Sequence, residues 1–162
     1  MRLILAAIGL CLPWTAATAL AVSVTFTATE RATIRSHGPW PPPLVADPSN
    51  KVSGNAHAIA LGKRLFSDPR LSATGTVSCA TCHVEAKGFT DGRALAKGLA
   101  PLVRNTPSVW NARFNRWYGW AGAVDTLWGA SIRPILAATE MASGGAHAAQ
   151  LLTGDRELAE LF

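Results

Sequence analysis

Five consecutive residues can do chemistry together: Cys79-Ala80-Thr81-Cys82-His83. On one helical turn, two thiols three apart can add to the two vinyl groups along one edge of a porphyrin, forming thioethers. The adjacent imidazole then projects toward the ring, where a nitrogen can bond the iron from the proximal side. The chemistry this predicts is one covalent haem c, attached through Cys79 and Cys82 and ligated by His83. Two other chemistries use paired thiols. A redox dithiol wants a strand–helix–strand context, and no strand pattern longer than Val22 to Phe26 occurs. A zinc site needs four ligands. The remaining histidines, His37, His57 and His147, stand in no paired ligand spacing.

The elements around the motif follow from composition and patterning. The chain has 162 residues, room for one domain. Apolar residues reach 49% and charged residues only 15%, below the usual ~25%. A disordered polar chain and a collagen-like repeat are excluded. So is a disulfide framework, since the three cysteines are Cys11, Cys79 and Cys82. Arg2, the apolar run Leu3 to Leu12, Pro13 and the small-x-small Ala17-Thr18-Ala19 read as a signal peptide over residues 1–19. Cleavage is expected after Ala19, with Ala21 second. The alternative is an uncleaved anchor, because Leu3 to Val24 is about long enough to span a bilayer. Leu10 is too bulky for Cys11 to be a lipoprotein site. Export matters chemically, since haem c attachment takes place in an extracytoplasmic maturation system. The expected location is therefore the periplasm.

Residues 20–52 are expected to form an extended, Pro-rich segment. Its first part, 20–36, reads as a tether without a clear period, and Gly38-Pro39-Trp40-Pro41-Pro42-Pro43 cannot be helix. The haem domain spans 53–162. Asn55 caps a predicted helix over 56–67, ended by Asp68-Pro69-Arg70. Ser72 to Thr76 is a turn, and Ser78 caps a short helix carrying Cys79 to His83. Residues 84–103 are predicted loop. Thr106-Pro107 reads as a cap and first-turn proline opening a helix to about Phe114. Asp125 is expected to cap a helix over 126–133 stopped by Pro134. Two further helices are predicted at 146–152 and from Asp155 to the end. The fold class is all-α: a cytochrome c-like helical domain wrapped around one haem, with long loops. Lys87, Arg93, Lys97, Arg104, Arg113 and Arg116 form a basic stretch. It is read either as propionate partners for the haem or as a solvated face. No nucleic-acid motif accompanies it.

With these residues in hand, the sequence resembles the N-terminal, peroxidatic haem domain of bacterial di-haem cytochrome c peroxidases. Leu61 to Ser72 precedes the haem motif, and Gly88-Phe89-Thr90-Asp91-Gly92 follows it. Arg104-Asn105-Thr106-Pro107-Ser108, Asn111, Gly122 with Asp125-Thr126-Leu127, Arg133-Pro134-Ile135 and Glu140-Met141 complete the order. The resemblance covers about 38–162. It implies an exported haem c oxidoreductase that reduces H2O2 to water with electrons from a small redox protein, and it leaves room for a calcium ion. Members continue into a second haem domain. This chain is thus expected to be a fragment, or to work with a separate haem domain or as a homodimer. Leu99 stands where the family often places a distal histidine. Ala121-Gly122-Ala123 replaces an aspartate–glycine–arginine turn. A gapless count puts Trp128 at the catalytic carboxylate and Tyr118 at its glutamine partner, so no distal catalyst is assigned. The alternative function is a mono-haem electron carrier with His83 and Met141 as axial ligands. Against it stands the ordinary reading of Met141 as a core residue at a helix end.

Overall fold

The computed structural model describes residues 24–162. The expected signal segment lies outside them, as does part of the short Val22 to Phe26 pattern. Among the described residues no helix is long and apolar enough to cross a membrane. The chain divides between Leu44 and Val45 into two units.

In the first unit, residues 28–36 are not a tether but a helix, α1 (Ala28–Ser36). A capping box starts it. Thr27 N–H donates to the Glu30 carboxylate at 2.8 Å, and Glu30 N–H donates to Thr27 Oγ1 at 3.3 Å. Two backbone donors satisfied in this way start a helix that has no apolar stripe to bury. The prolines that follow lie outside any helix or strand, as predicted.

The second unit opens at Val45. Its segment before residue 53 is tied to the body, since Arg113 donates to Val45 O at 2.9 Å and Trp128 Nε1 to Ser49 Oγ at 3.0 Å. Helix α2 (Ala56–Ser67) matches its predicted bounds, with the Asn55 side chain accepting from Ala58 N–H at 3.0 Å. Asp68 then caps a 3-10 turn, Pro69–Leu71. Ser72 is wholly buried and closes the next turn. Its hydroxyl donates to Pro69 O at 2.8 Å and accepts from Thr76 and Val77 N–H, each at 3.2 Å. That turn delivers Val77 to the core and Ser78 to the start of α3 (Cys79–Cys82).

At the C-terminal side, α4 (Leu127–Leu136) is capped by Thr126 rather than Asp125, with Thr126 Oγ1 accepting from Gly129 N–H at 3.3 Å. Pro134 lies inside α4 instead of stopping it. Its missing N–H would have served only one carbonyl in the last turn. The helix end is satisfied from beyond: Pro134 O and Ile135 O accept from Met141 and Ser143 N–H at 3.1 and 2.8 Å. Helix α5 (Gly145–Gly154) is longer than predicted. Asp155 caps α6 (Arg156–Leu161) by accepting from Leu158 N–H at 3.1 Å.

Helix α2 packs on α3 and α6, and α5 packs on α6 and on the Pro69–Leu71 turn. The core cluster is Leu71, Val77 and Met141, with Leu65, Cys79, Leu99, Ile135, Ala148 and Leu151 against it. No strand occurs among the described residues, only isolated bridges, so the all-α expectation holds there.

The stretch 84–124 is mostly loop. The predicted helix from Pro107 to Phe114 is reduced to a 3-10 turn, Ala112–Phe114. Ser108 explains why. Its hydroxyl donates to Gly88 O at 2.6 Å and accepts from Trp110 N–H at 3.1 Å. The local backbone is thereby folded into a side-chain turn, and Asn111, at φ +57°, reverses the chain.

Candidate haem-binding site

Helix α3 is a single turn. Ser78 N–H donates to Thr81 Oγ1 at 3.0 Å, which holds its first residues. His83 closes it as the C-cap, donating its N–H to Cys79 O at 2.9 Å, rather than as its last helical residue. The two thiols therefore leave from one turn. Cys79 packs on the core cluster. Cys82 Sγ lies 3.7 Å from Lys97 O. Burial pushes both thiols up from their ordinary range; at Cys82 the charges of Asp91 and Glu140 add to the rise. Both are thiols at neutral pH. That is the reverse of an activated redox dithiol, whose attacking sulfur needs a depressed pKa.

His83 is oriented by the loop behind it. Its Nδ1 lies 3.1 Å from Phe89 O. A carbonyl can only accept, so Nδ1 carries the proton and Nε2 presents its lone pair. The carbonyl reaches this position because Gly88 and Phe89 both take left-handed backbone, at φ +64° and +58°. Glycine adopts that conformation freely; a phenylalanine there is unusual. Two bonds hold the loop closed: Phe89 N–H to Val84 O at 2.9 Å and Val84 N–H to Thr90 O at 3.2 Å. The Phe66 ring lies 6.4 Å from the imidazole. His83, Phe66, Val84, Phe89 and Val109 border an open cleft of about 730 Å³. The donor set fits a haem c: two thiols on one turn, and an adjacent imidazole with its tautomer fixed for Nε2 ligation.

The other candidates separate. Met141 is buried at 2% exposure in the core, and Leu99 packs on the same cluster. Tyr118 is buried, and its hydroxyl donates to Ala112 O at 3.0 Å. Burial pushes its phenol up, so it stays neutral. Trp128 spends its indole N–H on Ser49. His147 Nε2 donates to Arg70 O at 2.8 Å, and His57 is exposed. Of the basic stretch, Arg104 lies over Trp120, Arg116 over Trp117, and Arg113 binds Val45 O. Lys87 Nζ donates to Asp91 O at 3.0 Å. Sequence reasoning missed Phe89 and Ser108. Gly88 signalled a left-handed turn, but nothing local showed where the next carbonyl would point.

Residues 56–162 match the sequence profile of the di-haem cytochrome c peroxidases. The chain belongs to this family, one of haem c proteins. It is 48% identical over 85 residues to the methylamine utilization protein MauG of Methylorubrum extorquens, a match covering 51% of this chain and 24% of that protein. Against the cytochrome c peroxidase Ccp of Escherichia coli it is 42% identical over 95 residues, covering 57% and 20%. A solved MauG-like protein associated with microbial copper homeostasis superposes with a TM-score of 0.65 at 32% identity, over 75% of this chain and 36% of that one. The matched region spans about a quarter of the length of these curated relatives.

Proposed function

We propose that this chain is an exported, periplasmic haem c domain that reduces H2O2 to water with electrons from a small redox protein. The carrying observation is the His83–Phe89 bond. It leaves the lone pair of the imidazole on Nε2, beside a turn that carries both thiols, and this supports His83 as the iron ligand and Cys79 and Cys82 as the attachment points. A haem held there supplies an iron that binds peroxide and exchanges electrons singly. The protein's own residues anchor it through Cys79 and Cys82 and hold the proximal imidazole in one tautomer. Leucine at position 99 cannot ligate an iron, so that position would supply no second ligand to a haem held by His83. Tyr118 and Trp128 both act as hydrogen-bond donors to neighbours, so neither is assigned as a distal acid–base group. The relatives' length supports a second haem domain, in the same protein, in a separate one or in a second copy, as the immediate electron source. A calcium ion belongs to the same reading by family likeness.

The test is the ferric absorption and EPR spectrum of the haem-loaded protein at neutral pH. A largely high-spin haem that binds cyanide without prior reduction is expected. A second reading, a mono-haem electron carrier with His83 and Met141 as ligands, draws on Met141 sharing its core cluster with Cys79. A purely low-spin spectrum with a methionine–iron band near the red edge, and cyanide excluded, would establish the carrier instead.

A further inference from the structure

The peptide group joining Gly88 and Phe89 is held at both ends. Its N–H, on Phe89, donates to Val84 O at 2.9 Å, and its carbonyl, on Gly88, accepts from Ser108 Oγ at 2.6 Å. The first bond is internal to the loop. The second reaches it from a segment twenty residues further along the chain. Ser108 is a well-directed donor, because its oxygen also accepts from Trp110 N–H at 3.1 Å, which leaves the hydroxyl hydrogen for Gly88.

Phe89 needs such a hold. Its φ of +58° lies in the left-handed region, where a bulky residue is disfavoured and stays only when its surroundings impose it. Relaxing φ to the ordinary region would swing the Phe89 carbonyl away from the imidazole. The ring is gripped as well, 5.4 Å from Trp110 and 6.5 Å from Phe66. Ring and peptide held together direct Phe89 O at His83 Nδ1, 3.1 Å away. An imidazole that donates Nδ1–H to a fixed acceptor gives more electron density to a metal bound at Nε2. That donation strengthens the iron–nitrogen bond and favours ferric over ferrous iron, so it lowers the reduction potential.

We propose that Ser108 is a positioning residue for the proximal ligand: its bond to Gly88 O keeps Phe89 left-handed, and so keeps the Phe89 carbonyl on His83. The inference rests on the reading of His83 as the iron ligand and adds a residue that tunes it from outside the loop. It asks nothing of the opposite face of the iron, so it holds for a peroxidase and for an electron carrier alike. Ser108 lies at the surface, so truncating it leaves the core intact.

The test compares the haem-loaded wild type with Ser108→Ala, Ser108→Thr, Phe89→Gly and the double variant Phe89→Gly, Ser108→Ala. Two quantities are read: the reduction potential, by spectroelectrochemical titration, and the iron–histidine stretching band of the ferrous protein, by resonance Raman. Ser108→Ala is expected to raise the potential and lower the stretching frequency. Ser108→Thr keeps the hydroxyl and should stay near wild type. Glycine takes left-handed backbone freely, so Ser108→Ala should shift the potential less in the Phe89→Gly background than alone. A potential unchanged in Ser108→Ala overturns the inference. So do equal shifts in Ser108→Ala and Ser108→Thr, which would leave the hydroxyl without a role. An equal effect of Ser108→Ala in both backgrounds overturns it too, since Ser108 would then act elsewhere than through Phe89. The stretching band appears only when the sixth position on the iron is open. The expected shifts in potential without that band uphold the positioning role and overturn the peroxidase reading. No band and no shift in any variant overturn both.

Discussion

Gly98 lies against Glu140 so closely that a β-carbon at position 98 would come 2.7 Å from the Glu140 Cα and 2.6 Å from Thr139 O. The approach is held by two backbone bonds, Leu99 N–H to Glu140 O at 3.1 Å and Ala100 N–H to Thr139 O at 3.0 Å. The obstacle to a side chain is backbone, which cannot swing away. Gly98→Ala is therefore expected to destabilise the domain by about 1–3 kcal/mol through overpacking. A urea midpoint unchanged from wild type would contradict this.

Ser72 offers a second measurement. Its buried hydroxyl is the shared acceptor for Thr76 and Val77 N–H, just before the thiol turn. Ser72→Ala removes that acceptor and leaves two donors short. The expected cost is about 1–3 kcal/mol for a buried group left unpaired. Ser72→Thr keeps the hydroxyl and should recover part of it; equal losses in both variants would point to packing alone.

Covalent attachment is checked chemically. Acid–acetone extraction should leave haem on the wild-type chain. The double variant Cys79→Ser, Cys82→Ser should release it all. Haem that extracts freely from wild type would rule out the thioether assignment.

Arg70 gives a pH dependence with a definite sign. It pairs with Asp68 at 2.6 Å and Asp155 at 2.9 Å. Its guanidinium bonds hold both carboxyls below the usual carboxylate range. A carboxyl depressed in the folded state binds fewer protons there than when unfolded. Its stabilisation is complete above the unfolded value of about 3.9 and is lost as pH falls through the folded one. Arg70→Met should flatten this acid-side loss of stability while leaving the neutral-side slope unchanged. Parallel urea midpoints for both proteins from neutral pH down into the acid range would show that the pairs contribute nothing, as exposed ion pairs often do.

Local signals in the sequence carried much of the fold. Asn55 and the Asp68-Pro69 break bounded α2 at both ends, because a cap and a proline act within one turn. The thiols and His83 were legible for the same reason, since their spacing is itself the chemistry. Helix α1 has a local signal too, the capping box Thr27-x-x-Glu30, but no apolar period accompanies it. The Thr106-Pro107 start failed differently. Its hydrogen-bonding groups look helical, but Ser108 finds Gly88 twenty residues upstream, a partner no local pattern can announce. The carbonyl that fixes His83 was hidden likewise, because it depends on two successive left-handed residues and a closed loop.

The Thr139–Met141 turn has a consequence for the continuity of the chain. It receives Ala73 N–H at Met141 O, at 2.9 Å, from before the haem motif, and Leu99 and Ala100 N–H from after it. Both ends of the stretch bearing Cys79, Cys82 and His83 are thus anchored to the same piece of backbone. Arg93, Ala94 and Leu95 are exposed between those anchors. A protease that nicks the chain there would cut a tether without releasing a fragment. The two halves would stay associated, so the domain could be assembled from separately made pieces divided at that loop.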